Sequence, residues 1–323
     1  MYNVDRSDCM VNIYKTNKNN GKLEEIKSPV KGCWINMVKP TEEEIKKIAE
    51  MVKIEEQTIR YPLDISEKAH IDEEDDSVLI VVDSPATEIK NDEKIYTTLP
   101  LGMIIVRDEM FITVSQSKIN VIEVLKKKAK SKSLQTEKKS RLVFQILYDI
   151  AQDYIRYLTY INKDIEMFEE HMSKSMRNKE LQRIMKFEKS MIYFNASVKG
   201  NQVVLEKLNR GKAIKLYEED EDILEDTIIE NRQAIEMIQT YSEILNGIID
   251  IFGTMVSNNL NIVMKVLTSI TIIISIPTMV SSFLGMNVQF PFNTGVIGFY
   301  EVVAISIIAT ILVTFWLKKK NML

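Results

Sequence analysis

Two rows of residues spaced by sevens stand out for chemistry near the end of this chain. Gly247, Thr254, Asn261, Thr268, Ser275 and Ser282 form one row, and Asp250, Ser257, Met264, Thr271, Thr278 and Gly285 the other. Eleven of the twelve are polar or glycine, although the residues around them are rich in Ile, Val, Leu and Met. A heptad a/d register normally holds the apolar seam of a coiled coil, and here it is inverted. Hydroxyl and amide oxygens repeated along one side of a helix offer neutral ligation and hydrogen bonding, not acid–base or nucleophilic chemistry.

The element that must position them enters a bilayer. Val266 to Leu284 is nineteen residues without a charge, and Val296 to Leu317 is twenty-two, broken only by Glu301. At about 1.5 Å per residue each covers roughly the 30 Å of a bilayer's hydrocarbon. Inside lipid an unpaired hydroxyl is costly, so a polar stripe there must face protein or water. Hydrogen-bonded helix–helix glue is one solution. The other is a water-filled path surrounded by identical helices, which two spans of one chain cannot enclose, so it requires a homo-oligomer. Met264 and Leu267 then face the axis as an apolar constriction that gates by excluding water, and Pro277 frees the Ile273 carbonyl and permits a kink.

Other chemistries find little support, and no enzyme activity or organic cofactor is expected. Cys9 and Cys33 make no metal or redox spacing, and His70 and His171 lie far apart. A net charge of −4 gives no general attraction to nucleic acid. The lysines at 126, 127, 128, 130, 132, 138 and 139 lack interleaved aromatic residues, so they read as a solvated helix end. Seven carboxylates, Glu218 to Asp222 with Glu225 and Asp226, open a helix where they suit its dipole. Multiplied around an oligomer, they would gather divalent cations.

Charge also orients the chain. Lys265 precedes the first span and Lys318 to Lys320 follow the second, whereas Val288 to Gly295 has no basic residue. The positive-inside rule puts both termini in the cytoplasm, and the polar residues Met1 to Met10 do not read as a signal peptide.

Upstream of the spans the pattern is α/β, then all helix. Strands are expected at Val11–Lys15, Cys33–Val38, Ser77–Asp83, Leu101–Arg107 and Met110–Ser115, the last two as a hairpin across Asp108-Glu109. Thr41 and Glu44 form a capping box for a helix to about Lys53, and Ile119 to Lys130 reads as helical. Beyond Lys138 come helices over Arg141–Met176 and Leu181–Asn209, the latter closed by Gly211. A third starts after Tyr217 and meets no stop signal before the membrane, giving about 65 residues and roughly 100 Å of stalk.

The region from Asn261 to Asn287 resembles the CorA family of magnesium transporters. Their first span opens Asn-x-Val-Met-Lys-x-Leu-Thr and ends Gly-Met-Asn; here stand Asn261-Ile262-Val263-Met264-Lys265-Val266-Leu267-Thr268 and Gly285-Met286-Asn287. A Gly-Met-Asn ending is, on residues alone, also compatible with a left-handed helix C-cap. The resemblance extends over the chain: an N-terminal α/β cytoplasmic domain (1–135), a helical region with the long stalk (136–264), a first span (265–287), an external loop (288–295), a second span (296–317) and a basic tail (318–323). It implies a homopentameric funnel in the cytoplasmic membrane that passes Mg²⁺ inward, with no nucleic-acid partner. Gly285, Met286 and Asn287 would form an outer ring receiving hydrated Mg²⁺. Asp250, Asn261, Met264, Leu267, Thr271, Ser275 and Thr278 would line the pore. A regulatory cytoplasmic Mg²⁺ would sit between neighbouring subunits on Asp226, with Asp83 or Glu88 as its partner on the α/β domain. The loop after Asn287 has no carboxylate before Glu301, so capture of cations by loop charge is not expected. Co²⁺ or Ni²⁺ uptake by the same architecture is the nearest alternative, and a membrane-tethered signalling protein the more distant one.

Overall fold

A computed structural model describes residues 10–17, 21–90, 93–106, 109–131, 134–172, 178–211, 213–286 and 296–320. It falls into two compact units, Met1–Gly247 and Ile248–Leu323.

The first unit is built on a seven-stranded sheet. Its strands are β1 (Met10–Thr16), β2 (Leu23–Ile26), β3 (Trp34–Val38), β4 (His70–Glu73), β5 (Ser77–Lys90), β6 (Glu93–Val106) and β7 (Met110–Ser115), in the order β2-β1-β3-β7-β6-β5-β4. Only the central β3–β7 pair is parallel; the remaining pairs are antiparallel. Two helices follow β3, α1 (Glu42–Val52) and α2 (Glu56–Arg60). The Thr41/Glu44 capping box forms in both directions, and Lys53 closes α1 in the left-handed conformation at φ 60°. Period-2 alternation in the strands puts Ile35, Met37, Leu79, Val81, Ile104, Val106, Ile112 and Val114 on one face, with Ile45, Ile48, Ala49 and Val52 of α1 in the same core. On the opposite face a buried polar chain runs from Trp34 Nε1, which donates to Thr113 Oγ1 (2.8 Å), to Asn36 Oδ1, which accepts from that hydroxyl (2.9 Å).

Three helices complete this unit, α3 (Asn120–Ser131), α4 (Lys139–Met172) and α5 (Asn178–Asn209), together with the start of α6 (Glu218–Leu284). Gly211, at φ 67° and donating to the Leu208 carbonyl (2.9 Å), ends α5 as the sequence led one to expect. The 67-residue α6 runs on without interruption into the second unit, where α7 (Val296–Lys319) follows it. Both α6 and α7 are long and apolar enough to cross a membrane.

The β5–β6 hairpin is longer than the sequence suggested. Both strands have fourteen residues and pair from Ser77↔Val106 to Lys90↔Glu93. Pro85 and Pro100 read as strand breaks, yet each lies inside a strand. Pro100 opposes Asp83 and Pro85 opposes Thr98, two residues apart along the ladder, so both fall in the non-hydrogen-bonded pairs, where no N–H is required. The short β2, β4 and α2 were also not foreseen; each has five residues or fewer.

Gly102 of β6 is the place where a side chain is excluded. A Cβ there would lie 2.1 Å from Cγ of the buried Pro62 in the 3-10 turn Tyr61–Leu63. Gly102→Ala is therefore expected to destabilise the protein by about 1–3 kcal/mol through overpacking, seen as a melting temperature several degrees lower.

Candidate cation path

Every one of the twelve seam positions is exposed in the isolated chain. Of the pore-lining candidates, Asp250, Asn261, Thr271, Ser275 and Thr278 carry oxygens on this open side, while Met264 and Leu267 are the large apolar members, at 58% and 56% exposure. One position further round, Ser269 is fully buried, and Ile272, Ile273, Ile276 and Val280 are half-buried. On α7 the shielded residues Gly298, Glu301, Val302, Ser306, Ala309, Thr310, Val313, Thr314 and Leu317 likewise follow one side of the helix. Each helix of this unit thus has one covered side, and the polar seam of α6 is not on it.

The hydroxyls are held in one orientation. Thr254 donates to the Asp250 carbonyl (3.0 Å), Thr268 to Met264 (2.7 Å), Thr271 to Leu267 (2.9 Å), Ser275 to Thr271 (2.7 Å) and Thr278 to Ile274 (3.2 Å). This back-bonding to residue i−4 is a common habit of helical Ser and Thr, and Thr310 and Thr314 of α7 show it too. What differs on α6 is exposure. With the proton turned inward, each of these five hydroxyls presents lone pairs outward, an arrangement that accepts hydrogen bonds from the waters of a hydrated cation.

At the outer end Gly285 still donates helically to the Ser281 carbonyl (3.0 Å), and Met286 donates to that of Phe283 (3.3 Å). Among the described residues the left-handed glycines are Gly21, Gly32 and Gly211. The left-handed C-cap is thus not formed at Gly285. Asn287 lies outside the described residues.

The candidate regulatory carboxylates differ in environment. Asp226 is exposed on α6. Asp83 and Glu88 are both half-buried on β5 but, five residues apart, face opposite sides of the strand. Burial raises the Asp83 carboxyl above its ordinary range, and a hydrogen bond with Ser197 offsets that only in part. Glu88 instead lines a cleft of mixed character with Thr97, Leu99, Ile119, Asn120, Glu123 and Tyr157. The acidic start of α6 is less free than its sequence implied. Glu219 is held by Lys138 and Arg141, each at 3.0 Å, and Lys138's hydrogen bond leads in lowering its carboxyl. Asp220 is buried, which raises its carboxyl. The basic run is likewise engaged, with Lys126 on Glu123 (2.9 Å) and Lys128 on Asp149 (3.1 Å).

Sequence reasoning passed over two amides. Asn201 of α5 and Asn231 of α6 are 3% and 2% exposed. The Asp83 N–H donates to Asn201 Oδ1 (2.9 Å), and Asn201 Nδ2 donates back to the Asp83 carbonyl (2.8 Å). Asn231 Nδ2 donates to the Val198 carbonyl (3.1 Å) and to Gln202 Oε1 (2.9 Å). An asparagine at a helical position otherwise reserved for apolar residues was the available signal.

A soluble α/β unit, one helix continuing from it into an apolar foot, and a second helix able to span define a membrane protein with two transmembrane helices. The description "CorA-like Mg2+ transporter protein" belongs to the family whose sequence model matches residues 31–319. The chain belongs to that family. It is 28% identical over 311 residues to the cobalt/magnesium transport protein CorA of Methanocaldococcus jannaschii, covering 93% of this chain and 94% of the relative. It is 26% identical over 181 residues to the protein of the same name from Thermotoga maritima, covering 55% and 52%. Its fold matches the complete structure of the CorA magnesium transporter from M. jannaschii with a TM-score of 0.84 over 100% of both chains, at 23% identity.

The raised Asp83 carboxyl makes a prediction about pH. A carboxyl whose folded-state pKa lies above its unfolded value contributes stability below the unfolded pKa, about 3.9 for Asp, and loses it as pH rises through the folded value. Asp83→Asn, which fixes the neutral form, is expected to raise the melting temperature at neutral pH. The gain should shrink as pH falls toward 4, as melts across that range would record.

Proposed function

We propose that this chain forms a homopentameric, channel-like path for passive Mg²⁺ influx across the cytoplasmic membrane, with both termini in the cytoplasm. The observation that carries the reading is the polar seam: twelve heptad-spaced positions, all exposed, on a helix able to cross a membrane. Lipid cannot solvate the outward oxygens of Thr271, Ser275 and Thr278. Symmetry-related copies around a wet axis can. Met264 and Leu267 form the constriction in this arrangement, and Gly285, Met286 and Asn287 the outer ring. Mg²⁺ sheds water reluctantly, which suits neutral oxygens that read its hydration shell.

Closure is by cytoplasmic Mg²⁺ held between neighbouring subunits, on Asp226 of one and Glu88 of the next. Glu88 is preferred to Asp83 because the Asp83 carboxyl is turned toward Ser197 and its burial disfavours the charged form. Mg²⁺ here is both cargo and feedback signal, with no organic cofactor. Because both relatives carry cobalt as well as magnesium in their names, Co²⁺ or Ni²⁺ uptake by the same path is the second reading. A tether for signalling needs neither an open polar seam nor a particular residue at Asn287.

Two variants test this in liposomes holding the full-length protein. Asn287→Ala should lower Mg²⁺ influx at least tenfold; influx equal to the parent's would favour the tether, and larger uptake of Co²⁺ or Ni²⁺ than of Mg²⁺ the second reading. Asp226→Ala should conduct at low internal Mg²⁺ but resist inhibition when that concentration is raised. Inhibition equal to the parent's would remove Asp226 from the regulatory site.

A further inference from the structure

Beyond β4 the outer edge of β5 is open, and at Asp83 a helix fills it. β4 pairs with β5 only from Val78 to Val81. Two residues beyond, Asp83 opposes Pro100, so its N–H and C=O point away from β6. Asn201 occupies that edge as a further strand would, one amide oxygen and one amide nitrogen meeting the Asp83 N–H and C=O at 2.9 and 2.8 Å. The Tyr154 hydroxyl adds a bond to the same carbonyl (3.1 Å). Ser190 and Ser197, on the Asn201 side of α5, bond the Tyr96 carbonyl (2.9 Å) and the Thr98 hydroxyl (3.1 Å). The helix is thereby fixed in register on the β5–β6 hairpin.

One position along, and about 100° round the helix, Val198 and Gln202 face α6. Asn231 bonds both, at 3.1 and 2.9 Å. The two acceptors lie four residues apart, so α6 cannot slide along α5 without breaking both bonds. Apolar side chains would bury as much surface at this contact but would not fix a register.

The two ends of this linkage lie on the same elements as the carboxylates assigned above, β5 and α6. Glu88 is five residues from Asp83 along β5, about 17 Å at the strand rise; Asp226 is five residues from Asn231 along α6, about 7.5 Å at the helix rise. If the regulatory cation bridges Asp226 of one subunit and Glu88 of the next, each subunit offers a strand to one neighbour and a helix to the other. We propose that Asn201 and Asn231 are positioning residues that lock β5, α5 and α6 into one strut, so that cation occupancy at one subunit interface is felt at the next and closure is cooperative. This rests on the interfacial site of the preceding section and adds to it how separate sites would act together.

The test measures Mg²⁺ influx into liposomes holding the full-length protein as internal Mg²⁺ is raised, and reads both the half-inhibiting concentration and the steepness of inhibition. Asn231→Leu and Asn201→Leu should each keep influx at low internal Mg²⁺ within about twofold of the parent. Each should raise the half-inhibiting concentration about tenfold and flatten the curve toward independent sites. The double variant should be no worse than the poorer single one, because both break one linkage. Gln202→Leu, at a half-buried position, removes one Asn231 acceptor without emptying the contact and should give a smaller shift in the same direction; it serves if a buried variant fails to fold. Thr113→Val is the control for lost stability alone, since it cuts the Trp34–Thr113–Asn36 chain elsewhere in the same unit; it should lower the melting temperature and leave inhibition unchanged. The strut is overturned if folded Asn variants close with the parent's concentration and steepness, if their effects simply add, or if Thr113→Val shifts closure equally. A parent that is never inhibited by internal Mg²⁺ removes the regulatory site itself, and is recognised before any variant is compared.

Discussion

Hydrocarbon offers an oxygen atom nothing to bond with, and that constraint governs the C-terminal unit. The α6 helix satisfies its backbone internally, and its seam hydroxyls spend their protons on the same backbone. What remains on the open side are lone pairs, the Asn261 amide and two large apolar groups. A single copy exposes all of these at once. The soluble unit, by contrast, is free to expose oxygen to water.

That unit obeys a related rule in water. Backbone groups that leave a sheet must still find partners, and the fourteen-residue hairpin of β5 and β6 extends beyond the strands on either side of it. Helix α5 supplies partners at Tyr96 and Asp83 from Ser190 and Asn201, and Ser197 adds a bond to the Thr98 hydroxyl. The price of a long ribbon is thus met by side chains of one helix, which ties that helix to the ribbon more firmly than apolar packing would.

Much of this was legible in the residues. The helices were visible because strands need alternation and turns need Gly or Pro, and between Lys138 and Leu284 there is no strand-like alternation, one proline and only four glycines. The inverted heptad pointed to the open side of α6, since a period of seven residues is a property of the helix itself. The hairpin was cut short at Asp83 and Leu101 because proline is a strong breaker in general. Whether a proline falls in a hydrogen-bonded or a non-hydrogen-bonded pair depends on a partner strand that local sequence does not reveal. Asn201 and Asn231 were passed over for a similar reason: their partners lie 118 and 29 residues away. The difference between Asp83 and Glu88 likewise came from burial.

The inward turn of the seam hydroxyls has one more consequence. A file of alcohols relays protons only when each one receives a proton on one side as it gives one up on the other, by rotating about its C–O bond. Thr271, Ser275 and Thr278 are each anchored to the carbonyl one turn back, so rotation would break a bond at every step. Whatever water stands along such a wall, the wall itself contributes no wire for acid to leak through.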